Sequence, residues 1–330
     1  MKITIAQKLF PCSHLPGTTC LIPGSDWQVQ AFPTKLRFQS LVSQEEKELS
    51  LNIQGPILDF TVQLNLEKLR VEVFGHAAGG YIRYFISMVE SGISIFFEKE
   101  KREEILPVSW KQGSPSQERL SLGMHKKLDW ELVHRRRDLK EIFPIWLKLG
   151  QITPSTPETK EGAASLLAEC PKLEVVSHFT KLFLAGFKSL LVPRLVDDDH
   201  QGIIPSCEAT QGSPLILLTE GALLIRALFF KEEKDLFYFL PCLPPEFHEG
   251  RMVHVTTLKG DIISLEWSKK LLAKVMIHPK ETREISFHLQ HVLKSFRVKY
   301  SLREKGKRHL AKDPLFVEAG KVLYLDRFEA

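Results

Sequence analysis

The chain has 330 residues, 43% of them hydrophobic and 26% charged, with a formal net charge of +5. That balance is globular and excludes a disordered chain, the length accommodates two domains, and so small a charge demands no nucleic-acid partner. No apolar run approaches the roughly 20 residues of a membrane helix; the longest, Leu215 to Phe230, is broken by Glu220 and Arg226.

At the start of the chain Ile3, Thr4, Ile5 and Ala6 alternate between Lys2 and Lys8. This reads as an edge strand rather than a signal-peptide core, so a cytoplasmic protein is expected. The five cysteines, Cys12, Cys20, Cys170, Cys207 and Cys242, are odd in number, widely spaced and without a CxxC pair. No zinc or other metal site follows from such spacing, and free thiols are expected. A Cys12–Cys20 bridge would require export.

Residues 1–117 have the texture of a β-domain. Turn formers at Pro16-Gly17, Pro23-Gly24, Gly55-Pro56 and Gly79-Gly80 separate short apolar or alternating runs. Strands are expected over Ala31–Phe38, Glu48–Ile53, Phe60–Leu66, Leu69–Phe74, Gly80–Met88 and Ile93–Glu98, a spacing that suggests an antiparallel sandwich. Residues 118–230 read as a helical module. Leu132, Leu139, Ile142, Phe143, Trp146 and Leu149 recur at helical intervals, and Pro144 is expected to end or kink that helix near Phe143. Further helical stretches are expected over Gly162–Glu169, over Leu173–Leu191 (stopped by Pro193) and over Leu215–Phe230. Residues 231–330 return to strands: Leu236–Leu240, Met252–Leu258, Ile262–Trp267, Leu272–His278, Glu284–Leu289, Ser295–Tyr300 and Val322–Phe328. The basic stretch from Arg297 to Lys312 reads as a solvated hairpin loop. The fold class expected is therefore mainly β with a helical module, two antiparallel β-sandwich-like domains bridged by a short helical segment.

Residues Leu217 to Trp267 contain Phe239-Leu240-Pro241-Cys242-Leu243-Pro244, then Phe247-His248-Glu249-Gly250, then Ser264-Leu265-Glu266-Trp267. This order of elements resembles the junction between the last barrel helix and the closing β-domain of the six-hairpin glycoside hydrolases, in particular the α-L-fucosidase and maltose-phosphorylase-like groups. The resemblance covers about a third of the chain and implies a carbohydrate-related fold. The catalytic carboxylates of that clan sit on a large helical barrel, and the module at 118–230 is too short to form one. None of the clan's catalytic motifs falls on a residue of this chain.

Two local strings could carry chemistry. The segment His125-Lys126-Lys127-Leu128-Asp129-Trp130-Glu131, followed by Arg135, Arg136 and Arg137, offers a ring face, paired hydrogen-bonding groups and cations of the kind a sugar or anion site uses. Trp130, His125, Lys126, Asp129 and Arg136 are its candidate ligand-binding residues, set against the simpler reading of a solvated helix start with Trp130 in the core. The acidic turn Asp197-Asp198-Asp199-His200 is the second candidate, with Asp197, Asp199 and His200 as binding residues; it lacks the alternating spacing of a calcium loop and reads equally as a charged connection. For hydrolysis, the candidate acids are Glu220, Asp198 and Asp129. Glu220 lies on an otherwise apolar helix, where burial would raise its pKa or Arg226 would pair with it.

The Gly75-His76 and Gly79-Gly80 stretch lacks the strand–loop–helix order of a phosphate loop, and no G-x-S-x-G elbow occurs. The basic tail has only Tyr300 interleaved, which points away from nucleic acid. The functional expectation is a reduced, non-catalytic relative of the six-hairpin glycoside hydrolases, binding carbohydrate or a protein partner and needing no cofactor. The alternatives are a small active glycoside hydrolase or phosphorylase using carboxylates of the helical module, and a scaffold acting through homo-oligomerisation.

Overall fold

The computed structural model describes residues 2–156, 161–170, 174–196, 212–301 and 303–330. The chain begins with strands β1 (Cys12–Ser13), β2 (Thr18–Leu21), β3 (Trp27–Phe32), β4 (Lys35–Ser40), β5 (Glu46–Ser50), β6 (Leu58–Asn65), β7 (Arg70–Ala77), β8 (Gly80–Val89), β9 (Gly92–Phe97) and β10 (Arg102–Pro107). After β11 (Arg119–Ser121) come helices α1 (Trp130–Arg136), α2 (Leu139–Ile152), α3 (Ser165–Glu169), α4 (Val175–Gly186) and α5 (Ile216–Phe229). Strands resume as β12 (Phe230–Glu233), β13 (Leu236–Phe239), β14 (Gly250–Thr256), β15 (Ile262–Ser268), β16 (Leu271–His278), β17 (Arg283–His288), β18 (Ser295–Lys299), β19 (Lys307–Leu310), β20 (Leu315–Val317) and β21 (Leu323–Glu329). The fold is thus mainly β, with sandwich-like sheets and a helical stretch that falls between the two runs of strands in the sequence.

Contacts divide the chain into two compact units, one from residues 1–7, 117–124 and 223–330, the other from residues 8–116 and 125–222. The first draws on three separate stretches of the chain.

In the larger unit a six-stranded sheet runs β1-β6-β7-β8-β9-β10 and a four-stranded sheet runs β2-β3-β4-β5. Alternation decides which face is buried: β3 buries Trp27, Val29 and Ala31 and turns Gln28 and Gln30 the other way. The single strand expected over Ala31–Phe38 is instead a hairpin, with Phe32 opposite Lys35. Pro33 has no N–H for a ladder and occupies the two-residue turn.

The helical pattern also breaks where the sequence did not indicate. Arg137 closes α1 in the left-handed region at φ 56°, its N–H bonded to the Val133 carbonyl at 3.0 Å, and Asp138 caps α2 by accepting from the Lys140 N–H at 2.9 Å. Pro144 lies inside α2 and does not end it. The lost N–H is a local cost, offset because α2 is buried without interruption from Glu141 to Gly150. Similarly, α4 ends at Gly186, before Pro193: the chain doubles back, with the Arg194 N–H on the Gly186 carbonyl at 2.7 Å.

In the other unit a seven-stranded antiparallel sheet runs β11-β14-β15-β16-β21-β18-β19, beside a four-stranded sheet β12-β13-β17-β20 in which β13 and β17 are parallel. The expected first edge strand is not one. Residues 2–7 instead give up carbonyls to guanidinium groups: Arg251 donates to Thr4 at 3.2 Å and Arg119 donates to Gln7. The basic stretch forms the β18–β19 hairpin.

Trp267 is the node of this unit. Its Nε1 donates to the Phe247 carbonyl at 3.1 Å, its ring stacks on Phe229 at 5.2 Å, and it pairs across the ladder with Gly250. A Cβ on Gly250 would lie 2.2 Å from Trp267 Cζ2 and 2.8 Å from the Ser121 carbonyl oxygen. Gly250→Ala is therefore expected to cost about 1–3 kcal/mol by overpacking; chemical denaturation reads it, and an unchanged midpoint would show that the ring yields freely.

Candidate functional site

The helix start at residues 125–141 does gather charged groups, but around a carboxylate absent from the sequence candidates. Glu141, with no exposed side-chain surface, receives Arg136 Nη2 on Oε1 at 2.8 Å and Arg136 Nε on Oε2 at 2.9 Å, with His125 Nδ1 2.8 Å from Oε1. Asp129 caps α1 by accepting from the Leu132 N–H at 3.2 Å. Trp130, 4% exposed, meets Phe183 edge-on at 5.8 Å, so its ring face is closed to solvent. Lys126 is exposed.

Beside them, Ser13 Oγ donates to Glu131 Oε1 at 2.5 Å and Thr18 Oγ1 donates to Ser13 Oγ at 2.8 Å. Burial, with Asp129 and Glu131 adding to it, pushes the Cys12 thiol up to about 11, and full burial pushes Cys20 up as well. Both are free thiols held protonated, inert as nucleophiles. Glu220 is partly exposed on α5; Arg226, expected beside it, instead donates Nε to both oxygens of Glu118 at 3.1 and 3.2 Å. Asp197, Asp198, Asp199 and His200 lie outside the described residues, as does Cys207. Among the described residues no group of His, Cys, Asp or Glu is arranged to hold a metal ion, and no helix is long and apolar enough to cross a membrane.

The open polar surface lies elsewhere, on the sheet β2-β3-β4-β5. Register aligns its outward side chains in two rows: Thr19, Gln30, Arg37 and Glu48 in one, Gln28, Gln39 and Glu46 in the next. These residues and Lys188 line a cleft of about 530 Å³. The floor is polar because the same strands turn Trp27, Val29, Ala31, Leu36 and Phe38 inward.

The rows are internally ordered. Gln28 Nε2 donates to Gln39 Oε1 at 2.6 Å, Gln39 Nε2 to Glu46 Oε1 at 3.3 Å, and Gln30 Nε2 to the Gly17 carbonyl at 3.2 Å. Glu48 is bracketed by Lys35 at 2.7 Å and Arg37 at 3.2 Å. The Lys35 hydrogen bond, with Arg37 adding to it, holds its carboxyl below the usual range. The arrangement presents planar donors and acceptors to one opening, suited to a neutral polyhydroxylated ligand.

Sequence reasoning missed this site because the strand placed over Ala31–Phe38 ran through the turn and scrambled the parity of its residues. Glutamine at alternate positions 28 and 30, then Arg37 and Gln39, was the available signal. No protein family matches the chain, and no curated protein matches it.

Proposed function

We propose that the chain binds a hydroxyl-rich, carbohydrate-type ligand non-catalytically in the β2–β5 cleft. The observation that carries this reading is the pair of cross-strand rows. Each glutamine presents a carbonyl acceptor beside an NH₂ donor, Arg37 adds a planar fork, and adjacent strands repeat these groups at about 4.8 Å. Vicinal hydroxyls, which both donate and accept, are the complement of such a surface.

Hydrolysis has less support. It needs an acid with a raised pKa and a second carboxylate across the bond. Glu48 is held ionised by its two cations, and Glu46 lies beside it on the same strand. Asp129 serves as a helix cap. The segments that resemble the six-hairpin glycoside hydrolases meet around Trp267: Phe247 accepts from its ring, Gly250 packs on it, and the Leu240 N–H bonds the carbonyl of Phe229, which stacks on it. Their convergence supports descent from such an enzyme with the barrel reduced.

A glycan array with the purified chain, followed by calorimetry on each hit, tests the proposal. Arg37→Ala and Gln39→Ala are each expected to weaken binding by about tenfold, one hydrogen-bonding group's worth, with folding unchanged. If no neutral oligosaccharide binds, or both variants bind as the parent does, the cleft is not a sugar site.

A further inference from the structure

Between Lys294 and Lys312 the sequence carries eight Lys or Arg residues and one acidic residue, Glu304, in a chain whose whole net charge is +5. The fold turns this local excess into a line. β19 is the terminal strand of the seven-stranded sheet, so its outer edge is unpaired within the sheet. Across that sheet the register sets Arg251, Glu266, Lys274, Asp326, Arg297 and Arg308 side by side.

Charges alternate along this row until its end, where two cations adjoin. Asp326 is taken by Arg297 at 2.7 Å and by Lys299 at 3.3 Å; Arg308 donates Nε to Ser295 Oγ at 3.0 Å and approaches Glu329 at 3.6 Å. Arg303, Lys305, Lys307 and Lys312 are exposed and make no ion pair among the described residues. Beyond the hairpin, His288, His291, Lys294, Leu310 and Lys312 contribute to a cleft of about 480 Å³. At about 3.3 Å per residue, β19 from Lys307 to Leu310 covers roughly 10 Å, and a turn carries the chain on to Lys312.

We infer that the β18–β19 edge and the adjoining cleft bind an acidic polysaccharide, one bearing uronate or sulfate groups along its length. A line of flexible, unpaired ammonium groups matches regularly spaced anions, and the cleft accommodates a sugar unit between lysines. Stacking platforms for nucleobases are sparse: of the Phe, Tyr and Trp residues of the hairpin, Phe296 is buried and Tyr300 is exposed. This site is on the other unit from the β2–β5 cleft and stands or falls independently of it.

The test titrates the full chain with polygalacturonate, dextran sulfate, uncharged dextran and a single-stranded oligonucleotide over a series of salt concentrations. Binding to one or both acidic polysaccharides at low salt, with none to dextran, is expected; which one binds identifies the anion. K307Q/K312Q should weaken it about tenfold and flatten its salt dependence by about two released counterions, and K307E/K312E should abolish it. R37A should bind acidic polymer normally. Equal binding of dextran, tighter binding of the oligonucleotide, no acidic polysaccharide bound at low salt, or unchanged binding by both lysine variants with native circular dichroism would each overturn the inference.

Discussion

Trp146→Ala is expected to cost about 3–5 kcal/mol, the loss of a large core aromatic and the cavity left behind. Trp146 is fully buried in α2, edge-on to Phe187 at 4.6 Å and to Phe179 at 5.4 Å, and its Nε1 donates to the Leu217 carbonyl at 3.0 Å. The neighbouring backbone is fitted to the ring. A Cβ on Gly221 would lie 2.6 Å from Trp146 Cζ2, and one on Gly150 would lie 2.1 Å from the Leu218 carbonyl oxygen, so α2 and the start of α5 approach as closely as backbones allow. Glycine at both positions makes that approach feasible, and the indole fills what it leaves. Truncation would leave a cavity that rigid helices cannot close, and would remove the indole donor from the Leu217 carbonyl. Trp146→Phe should recover most of the loss. Urea unfolding of the parent and both variants reads the effect; a loss under 1 kcal/mol for the alanine variant would mean the helices collapse into the space.

Arg283→Ala is expected to cost about 3 kcal/mol at neutral pH, because it leaves a buried carboxylate without its cation. Asp261 is 1% exposed; Arg283 Nη1 reaches its Oδ1 at 3.1 Å, Nη2 donates to Oδ2, and the Lys280 N–H donates to Oδ1 at 2.8 Å. Burial alone would raise the Asp261 pKa, but the Arg283 hydrogen bonds and the Lys280 N–H outweigh it and hold the group below the usual range.

A folded pKa below the unfolded value means that the stabilisation is complete above the unfolded value, about 3.9, and is lost as pH falls through the folded one. Without Arg283 the sign reverses. The lone buried carboxylate takes up a proton above the unfolded value, and protonation relieves its penalty. The stability gap between parent and variant should therefore be widest at pH 7 and narrow toward pH 4. Denaturation at the two pH values measures it; a gap constant with pH would show that Asp261 is solvated once the guanidinium is removed.

For three segments the sequence reading and the structure coincide to within one residue at each end. Gly80–Met88 became β8 at Gly80–Val89, Leu272–His278 became β16 at Leu271–His278, and the apolar run Leu215–Phe230 became α5 at Ile216–Phe229. The β3–β4 hairpin, the α1–α2 break and the passage of α2 through Pro144 were not legible, since each depends on burial or on one residue's backbone conformation. The candidate residues of the helix start fared similarly. His125 and Arg136 do converge, but on Glu141, which reads in sequence as an ordinary helix-surface acid.

Composition, turn chemistry and periodicity act within a few residues, so the sequence by itself determined the β-rich class, the positions of most strands and the absence of a membrane-length apolar run. Which polar side chains stand side by side was decided by register between strands distant in sequence, as in the rows through Gln30 and Arg37 or through Asp326 and Arg297. Register is a pairing property, set by what each strand buries on its other face. No local pattern contains it, and both proposed binding surfaces therefore exist only in the folded chain.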